Sequence, residues 1–229
     1  MANSFQGEAG QPELASVSEL AENLVYRLPG CTDIVVRKTI REVYREFCRE
    51  TQCLTAERRL KLINRERIYP VSAMFGGVVC GVREVRLDNL ILKVGRDYTV
   101  NNGCDVILGM QHVLDMRGGC RENGMCDGSF QVDRIHTGDA HWRHPELVIV
   151  AYEIPKLESE KAPRWFIEKH GEAIVQGVLS KLLSVTGRPW SDPAKSAEAR
   201  IEYENMKSET RMMREYPSRG GCIDMSQVL

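Results

Sequence analysis

The sequence has 229 residues, of which 42% are hydrophobic, and its formal net charge is -1 at pH 7. A chain of this length can bury a substantial core, either as one domain or as a body that carries a smaller insertion. The near-zero net charge gives no chain-wide electrostatic attraction to nucleic acid or to a membrane surface. No apolar run approaches the ~20 residues that cross a bilayer, so we expect no membrane partner.

The N-terminal segment and the cysteines both favour a protein made in the cytoplasm. Residues 1–8 have neither the basic cluster nor the apolar core of a secretory signal. Eight cysteines occur, none with Cys-x-x-Cys spacing: Cys31, Cys48, Cys53, Cys80, Cys104, Cys120, Cys126 and Cys222. In a chain this long without a signal, we expect these thiols to stay reduced.

Residues 13–65 are predicted to form the N-terminal helices of a helical body. Ser16 and Glu19 have the spacing of a capping box. The apolar residues of the short first helix recur at helical steps: Val17, Leu20, Leu24 and Leu28. Pro29-Gly30 is predicted to end it.

The second helix is predicted to begin at Thr32 or Asp33, because either residue can act as an N-cap. Its inner stripe is Val36, Ile40, Val43, Tyr44, Phe47 and Cys48. Its outer face carries a basic row and an acidic row: Arg41, Arg45 and Arg49, and Glu42, Glu46 and Glu50. Internal pairs such as Glu42–Arg45 and Glu46–Arg49 would contribute only ~0.2–0.5 kcal/mol each. The rows are therefore either a solvated face or a contact in which one subunit's acidic row meets a neighbour's basic row.

Residues 66–157 are predicted to form an inserted β region, because the hydrophobic period changes from helical to alternating. Asp88-Asn89 can make a hairpin turn, and a change of parity near Arg83-Glu84 predicts a bulge. The apolar strand positions are Val78, Cys80, Val82, Val85, Leu87, Leu90, Leu92, Val94, Val106, Leu108, Met110, Leu114, Phe130, Val132 and residues 147–154. About four to six short strands fit an antiparallel sheet or small sandwich.

Residues 117–145 are rich in glycine and polar side chains and are predicted to form long loops, where partner contacts concentrate. Five potential zinc ligands lie there: Cys120, Cys126, His136, His141 and His144. The Cys-x5-Cys spacing is wider than the close ligand pairs of zinc sites. We therefore predict no metal and no cofactor.

Residues 158–216 are predicted to form a C-terminal helical hairpin. Its first helix has an apolar stripe of Ile167, Ile174, Val178, Leu182 and Val185. A sharp structural corner follows, formed by Gly187, Pro189, Trp190, Ser191, Asp192 and Pro193. We expect Gly187 to end the first helix, and Ser191 or Asp192 to cap the second. Trp190 is predicted to pin the corner.

Two features of these helices bear on function. Gly171 and Gly177 cost ~1 kcal/mol each relative to alanine, which indicates a tight helix crossing, either within the subunit or in a ring. The second helix mixes acidic and basic side chains, so it would repel phosphates about as strongly as it attracts them. We therefore do not expect it to read a DNA sequence.

No sequence pattern carries a catalytic chemistry. The chain lacks Gly-x-Ser-x-Gly, the phosphate-cradling Gly-x-x-x-x-Gly-Lys and Gly-x-Gly-x-x-Gly. Carboxylates are plentiful, but no spacing pairs two of them for acid and base work. We predict that the chain is not an enzyme and has no catalytic residues.

Two stretches resemble the head-to-tail adaptor proteins (connector or neck proteins) of tailed bacteriophages. One is Gly-Arg-Pro-Trp-Ser-Asp-Pro at 187–193, together with the helix residues 172–174 and 177–183 before it. The other is Leu-Pro-Gly-Cys at 28–31 with residues 40–48, which is similar to the first long helix of that family. The resemblance implies an α+β fold, in which a mainly α-helical body, a bundle with a C-terminal helical hairpin, carries the β insertion.

The resemblance also implies a structural virion protein that forms a ring, dodecameric in this family, between the portal protein and a tail or nozzle protein. Double-stranded DNA would pass through the lumen without sequence-specific binding. The candidate subunit contacts are Arg41, Glu42, Arg45, Glu46 and Arg49. The candidate portal contacts are Lys207, Arg211, Arg214, Tyr216 and Arg219. We expect the C-terminal tail, residues 217–229, to face the portal and the 117–145 loops to face the tail.

Two alternatives to the adaptor remain open. One is another neck or tail-completion ring protein, which would have a dominant β fold with fewer helices. The other is a small metal-dependent enzyme built on the 117–145 loops.

Overall fold

A computed structural model describes residues 13–62, 67–88, 90–108 and 146–215. These residues form a mixed α and β fold with two compact units. The helical unit comprises residues 13–54, 75–77 and 153–215. The sheet unit comprises residues 55–62, 67–74, 78–88, 90–108 and 146–152.

The helical unit contains two short strands and four described helices. Its elements are β1 (Leu14–Ser16), α1 (Glu19–Val25), α2 (Asp33–Thr51), β9 (Lys161–Pro163), α3 (Arg164–Leu183) and α4 (Pro193–Glu215). β1 pairs antiparallel with β9, with Ala15 opposite Ala162. This pairing joins the start of the described chain to the residues that lead into α3.

The predicted apolar stripe of α2 is buried, so that prediction is confirmed. Its residues are Val36, Ile40, Val43, Tyr44, Phe47 and Cys48. They recur at three- and four-residue steps, which places them on one face of a helix. Thr32 is the N-cap residue, and Gln52 ends the helix with a φ of +51°, its N–H donating to the Cys48 carbonyl at 2.9 Å.

The predicted capping box ahead of α1 forms only in part. The Ser16 N–H donates to Glu19 Oε1 at 3.3 Å, as the motif requires. The Ser16 hydroxyl instead accepts from the Ser18 N–H at 3.2 Å, because α1 begins at Glu19 with Ser18 as its N-cap residue. Leu20 and Leu24 point into the core as predicted.

α3 packs against α1, α2 and α4, so it forms the centre of the helical unit. Phe166 is fully buried and makes edge contacts with Tyr44 and Phe47, at ring centroid distances of 5.0 Å and 6.3 Å. Such aromatic pairs contribute about 0.5–1.5 kcal/mol beyond the burial of their area. The predicted apolar stripe of α3 is buried at Ile174, Val178 and Leu182.

The sheet unit contains seven strands in its described residues. They are β2 (Thr55–Lys61), β3 (Ile68–Pro70), β4 (Val78–Leu87), β5 (Leu90–Leu92), β6 (Tyr98–Asn101), β7 (Asp105–Leu108) and β8 (Glu146–Ile154), whose last two residues belong to the helical unit. One sheet has the order β2-β8-β4-β5 and the other β3-β7-β6. Side chains of both sheets share one hydrophobic cluster, which includes Val85, Leu108 and Ile149.

The structure confirms the hairpin predicted at Asp88. Leu87 lies opposite Leu90, and Asp88 has the positive φ, +51°, that the turn requires. β4 continues as one strand through Arg83-Glu84, and Val82, Val85 and Leu87 all pack against the same hydrophobic cluster, so the predicted change of parity is present. Val78 at the start of β4 is exposed, whereas Val79 packs against that cluster. The predicted strand at Phe130 and Val132 lies outside the described residues.

β2 was not predicted, and it lies inside the 13–65 range assigned to helices. It pairs along its whole length with β8, from Thr55 opposite Tyr152 to Lys61 opposite Glu146. Most of its side chains are charged, so they give only a weak hydrophobic alternation. Pairing with a buried neighbour strand, a non-local effect, decides its conformation.

Residues 75–77 belong to the helical unit, although the residues on both sides of them belong to the sheet unit. The Phe75 N–H donates to Glu153 Oε2 at 2.9 Å, and the Phe75 side chain packs against the helical core. Glu153 is fully buried, and its own N–H donates to the Leu54 carbonyl at 2.9 Å. A buried carboxylate is tolerated when it accepts such bonds.

Candidate interaction surface

The corner between α3 and α4 begins earlier than the sequence predicted. α3 ends at Leu183, four residues before Gly187, and Gly187 takes a φ of +72° inside the connecting turn. The Asp192 N–H donates to the Leu183 carbonyl at 3.0 Å, which closes the turn onto the end of α3. Gly187 therefore shapes the connection, and does not itself end the helix.

Asp192 is the residue that caps α4. Its Oδ1 accepts from the Lys195 N–H at 3.1 Å, and Pro193 is the first helical residue. Hydrogen bonds from the Lys195 backbone and side chain hold the pKa of Asp192 below its ordinary value. Of the two predicted caps, Asp192 performs the role and Ser191 precedes it.

Trp190 packs against the helical core but is only half-buried. The Arg188 guanidinium lies 5.9 Å from the Trp190 ring centroid. Pro189 lies close to the connection between α1 and α2, because a Cβ built on Gly30 of that connection would lie 3.7 Å from Pro189 Cβ. The corner and the α1–α2 connection thus meet at one end of the helical unit.

We expect Trp190→Ala to lower the free energy of unfolding by about 2 kcal/mol. A fully buried tryptophan would cost ~3–5 kcal/mol on truncation, and half-burial reduces that cost. Trp190→Phe, which keeps most of the ring area, is the matched control and should lose less. Urea unfolding of the three proteins measures the difference, and an unchanged midpoint for Trp190→Ala would show that Trp190 does not stabilise the corner.

The predicted subunit contacts on α2 have different environments. Lys181 Nζ donates to Glu46 Oε2 at 2.7 Å, and Arg41 Nη1 donates to Glu160 Oε1 at 2.8 Å. Arg45 and Arg49 are exposed, and no ion pair in the described part of the chain includes them. Of the predicted subunit contacts, Arg41 and Glu46 therefore bind within the chain, whereas Arg45 and Arg49 remain available to a neighbour. Glu42 is half-buried.

Lys207, a predicted portal contact, is buried. Its side chain is 4% exposed, and its Nζ donates to Glu204 Oε1 at 2.6 Å and to Glu50 Oε2 at 2.9 Å. The same ammonium lies 4.6 Å from the Tyr203 ring centroid, a cation–π contact. The prediction for Lys207 is wrong in placing it on an accessible surface, since its charge is used inside the helical unit.

Of the other four predicted portal contacts, two bind at the end of α2 and two lie outside the described residues. Arg211 donates to the Glu50 carbonyl at 3.2 Å and to Glu50 Oε2 at 3.3 Å. Arg214 Nη1 donates to Gln52 Oε1 at 2.7 Å. These bonds attach α4 to the end of α2. Tyr216 and Arg219 lie outside the described residues.

Gly177 lies where α3 crosses α2 and α4. A Cβ built on it would lie 2.5 Å from Val43 Cγ1 and 2.9 Å from Tyr203 Cε2. Real Cβ atoms do not approach other atoms this closely, so only glycine fits without movement. A Cβ on Gly171 would lie 3.1 Å from Leu20 Cδ2. Both crossings lie within the chain.

We expect Gly177→Ala to lower the free energy of unfolding by up to about 2 kcal/mol. Overpacking costs ~1–3 kcal/mol, and the better helix propensity of alanine returns ~1 kcal/mol of that. Gly171→Ala is the matched control, because the Leu20 methyl can shift by a few tenths of an ångström; it should be neutral or slightly stabilising. Denaturant midpoints of both variants test the crossing, and equal midpoints would contradict it.

The five potential zinc ligands and one further cysteine lie outside the described residues: Cys120, Cys126, His136, His141, His144 and Cys222. Within the described ranges, no three His, Cys, Asp or Glu side chains come together as a metal site. The cysteines in those ranges form no disulfide with one another: Cys31, Cys48, Cys53, Cys80 and Cys104.

Sequence reasoning missed the inward role of Lys207, although a signal existed. The buried positions of α4 include Ala199, Tyr203 and Thr210, and Lys207 falls on that same face. A lysine in an otherwise buried stripe requires an acidic partner, because an unpaired buried charge is costly. Glu50, the last residue of the acidic row, is that partner.

The described chain is a mixed α and β protein, and its candidate surface consists of outward helix faces on one compact helical unit. Among the described residues, no helix is both long and apolar enough to cross a membrane. No protein-family model matches the sequence, and a search of curated proteins likewise finds no match.

Proposed function

We propose that this chain is a structural virion protein, a head-to-tail adaptor that forms a ring between the portal and the tail of a tailed bacteriophage. The observation that carries the proposal is that both stretches of the resemblance, residues 28–48 and 172–193, belong to the same compact helical unit. In the proposed ring, the helical unit is a bundle with a C-terminal helical hairpin, and the β region is its insertion.

The internal bonds of the helical unit support this role. Gly177 fixes the spacing of three helices, and Glu50 attaches Lys207 and Arg211 of α4 to α2. A subunit that tiles in a ring needs a fixed angle between its two contact faces, since a heterologous contact closes only when its rotation closes. Rigid helix crossings favour such a fixed angle.

The charge distribution also suits a channel for double-stranded DNA. The chain is close to neutral overall. A lumen of mixed charge would not hold phosphates tightly, and tight binding would impede passage. In the proposed ring, double-stranded DNA therefore passes through the lumen without sequence-specific contacts.

The portal side is assigned to the end of α4 and the tail that follows it. Lys207 is removed from the contact set because its side chain is buried and binds Glu50. Arg211 and Arg214 stay in it because their side chains are only partly buried, as do Tyr216, Arg219 and the rest of residues 217–229. The loops of 117–145 are assigned to the tail side, as the resemblance implies.

The test is electron microscopy of the full chain, alone and mixed with the portal protein of the same genome, together with its mass in solution. We expect rings with a central opening that join the portal, and capsids made without the chain should lack tails. A chain that remains monomeric at every concentration, does not bind the portal and is absent from virions would overturn the proposal. Stoichiometric metal that is lost in Cys120→Ser or His141→Ala would favour the metal-dependent enzyme instead.

A further inference from the structure

The outer face of α2 is mainly basic, because Glu46 and Glu50 of its acidic row bind within the chain and Glu42 is only partly exposed. Glu46 binds Lys181, and Glu50 binds Lys207 and Arg211. The exposed basic residues Lys38, Arg45 and Arg49 are spaced by seven and four positions, which places them on one helix face. No ion pair among the described residues includes any of these three.

The outer face of α4 has the opposite sign. Glu198, Glu202 and Glu209 are exposed and spaced by four and seven positions, again on one helix face. The ion pairs of the described ranges leave all three unpaired. The buried face of α4 carries the basic residue of the pair, Lys207, so the outward charge of this helix is mainly acidic.

The two faces have matching charge spacings when the helices run antiparallel. The gaps of seven and four along α2 become four and seven along α4, so each basic residue lies opposite an acidic one. The same register places four exposed apolar residues in two opposed pairs at one end of the match, whereas the exposed Ile201 lies opposite Glu46. The pairs are Ile34 with Met213, Val35 with Met212, Lys38 with Glu209, Arg45 with Glu202, and Arg49 with Glu198.

The apolar end of this match is exposed on both helices. Ile34 and Val35 are 79% and 40% exposed, and Met213 and Met212 are 51% and 59% exposed. Exposed apolar side chains that adjoin complementary charges are typical of a protein interface. The matched segment covers fifteen residue steps, or about 22 Å at ~1.5 Å per residue.

We propose that the outer face of α2 binds the outer face of α4 of a second copy of this chain, antiparallel and in this register. The proposal deepens the adaptor function and rests on it for the ring. One copy cannot satisfy both faces, because α2 and α4 already pack against each other through their inner faces. After two copies bind in this way, one α2 face and one α4 face remain free. Further copies can therefore add through the same contact, and the assembly becomes a closed ring when the rotation between neighbours closes.

The test uses charge reversal on each face of the full-length chain. The basic-face variant carries Arg45→Glu and Arg49→Glu, and the acidic-face variant carries Glu198→Lys and Glu202→Lys. All four side chains are exposed, so we expect folding to be preserved, as circular dichroism can verify. A control with Glu158→Lys and Glu168→Lys changes exposed charges elsewhere on the helical unit.

We expect each reversed variant to need at least about tenfold more protein for half-maximal assembly, measured by sedimentation and mass photometry at low salt, where exposed charges are least screened. A chain with all four substitutions, and an equimolar mixture of the two variants, should recover assembly because every contact again joins opposite charges. The Glu158 and Glu168 control should assemble like the unaltered chain. If a reversed variant unfolds, Arg45→Gln and Glu202→Gln replace the reversals, with weaker assembly again expected.

The outcomes separate this contact from the adaptor function. Normal rings from the reversed variants, or no recovery in the four-substitution chain and in the mixture, would overturn the α2–α4 contact and leave the ring proposal intact. A dimer that is lost and recovered in the expected pattern would support the contact and overturn the ring. A monomer under every condition, with or without portal protein, would overturn both.

Discussion

Replacing Glu50 with alanine is expected to lower the free energy of unfolding by about 2–3 kcal/mol, which is between the cost of breaking an exposed ion pair and that of breaking a fully buried one. The Glu50 carboxylate binds both Lys207 and Arg211, and the Lys207 side chain is only 4% exposed. Without Glu50, the buried ammonium keeps the Tyr203 ring and one carboxylate, Glu204, whose side chain is 53% exposed. The loss should appear in urea unfolding at neutral pH.

Two further variants separate the buried charge from the lost contacts. Glu204→Ala removes an exposed partner, so it should cost no more than about 1 kcal/mol. Combining Glu50→Ala with Lys207→Met removes both charges, so much of the loss should be recovered. If the double variant is no more stable than Glu50→Ala, the cost does not come from the buried charge of Lys207.

Below pH 6.5 the protein is expected to lose stability steadily, by roughly 3 kcal/mol at about pH 4, because of His170. His170 is buried in the helical core, with ring centroids 5.1 Å from Phe166 and 5.4 Å from Phe47. Burial, assisted by the nearby positive charge of Lys169, lowers the pKa of His170 from 6.5 to about 4. The unfolded chain therefore binds a proton at a higher pH than the folded chain does.

The sign of this pH effect follows from the lowered pKa. The full stability is present above pH 6.5, falls between pH 6.5 and about 4, and receives no further change from His170 below that. His170→Phe removes the titrating group and keeps a ring in the aromatic cluster. The difference in unfolding free energy between the native chain and this variant should shift by roughly 3 kcal/mol across the window; a constant difference would exclude His170 as the cause.

The helices were predictable where a single helix face is apolar. The stripe of α2 and the capping of α4 by Asp192 both follow from local spacing and short-range hydrogen bonds. The hairpin at Asp88 was also predictable, because its turn conformation is local. The glycine crossing was expected, but only the packed structure assigns Gly177 to a contact within the chain.

The missed features depend on residues far apart in sequence. Strand β2 is polar, and its conformation is set by pairing with β8, about ninety residues later. The partners Glu50 and Lys207 are separated by 157 positions, so no local pattern could show that Glu50 binds within the chain. The sequence suggested that α2 exposes both the acidic and the basic side of the subunit contact. In the structure, α2 exposes mainly basic residues and α4 exposes mainly acidic ones, so the candidate contact joins these two helices.

The short segment at Phe75 limits which deletions the helical unit can tolerate. A shortened chain in which a linker replaces residues 55–152 would look like a clean removal of the sheet unit. It would also lose the backbone N–H that binds the buried Glu153 carboxylate, together with an aromatic side chain of the helical core. The insertion consequently cannot be removed without a change to the helical unit. A chain reduced to that unit would need a substitute for Phe75 or a neutral residue in place of Glu153.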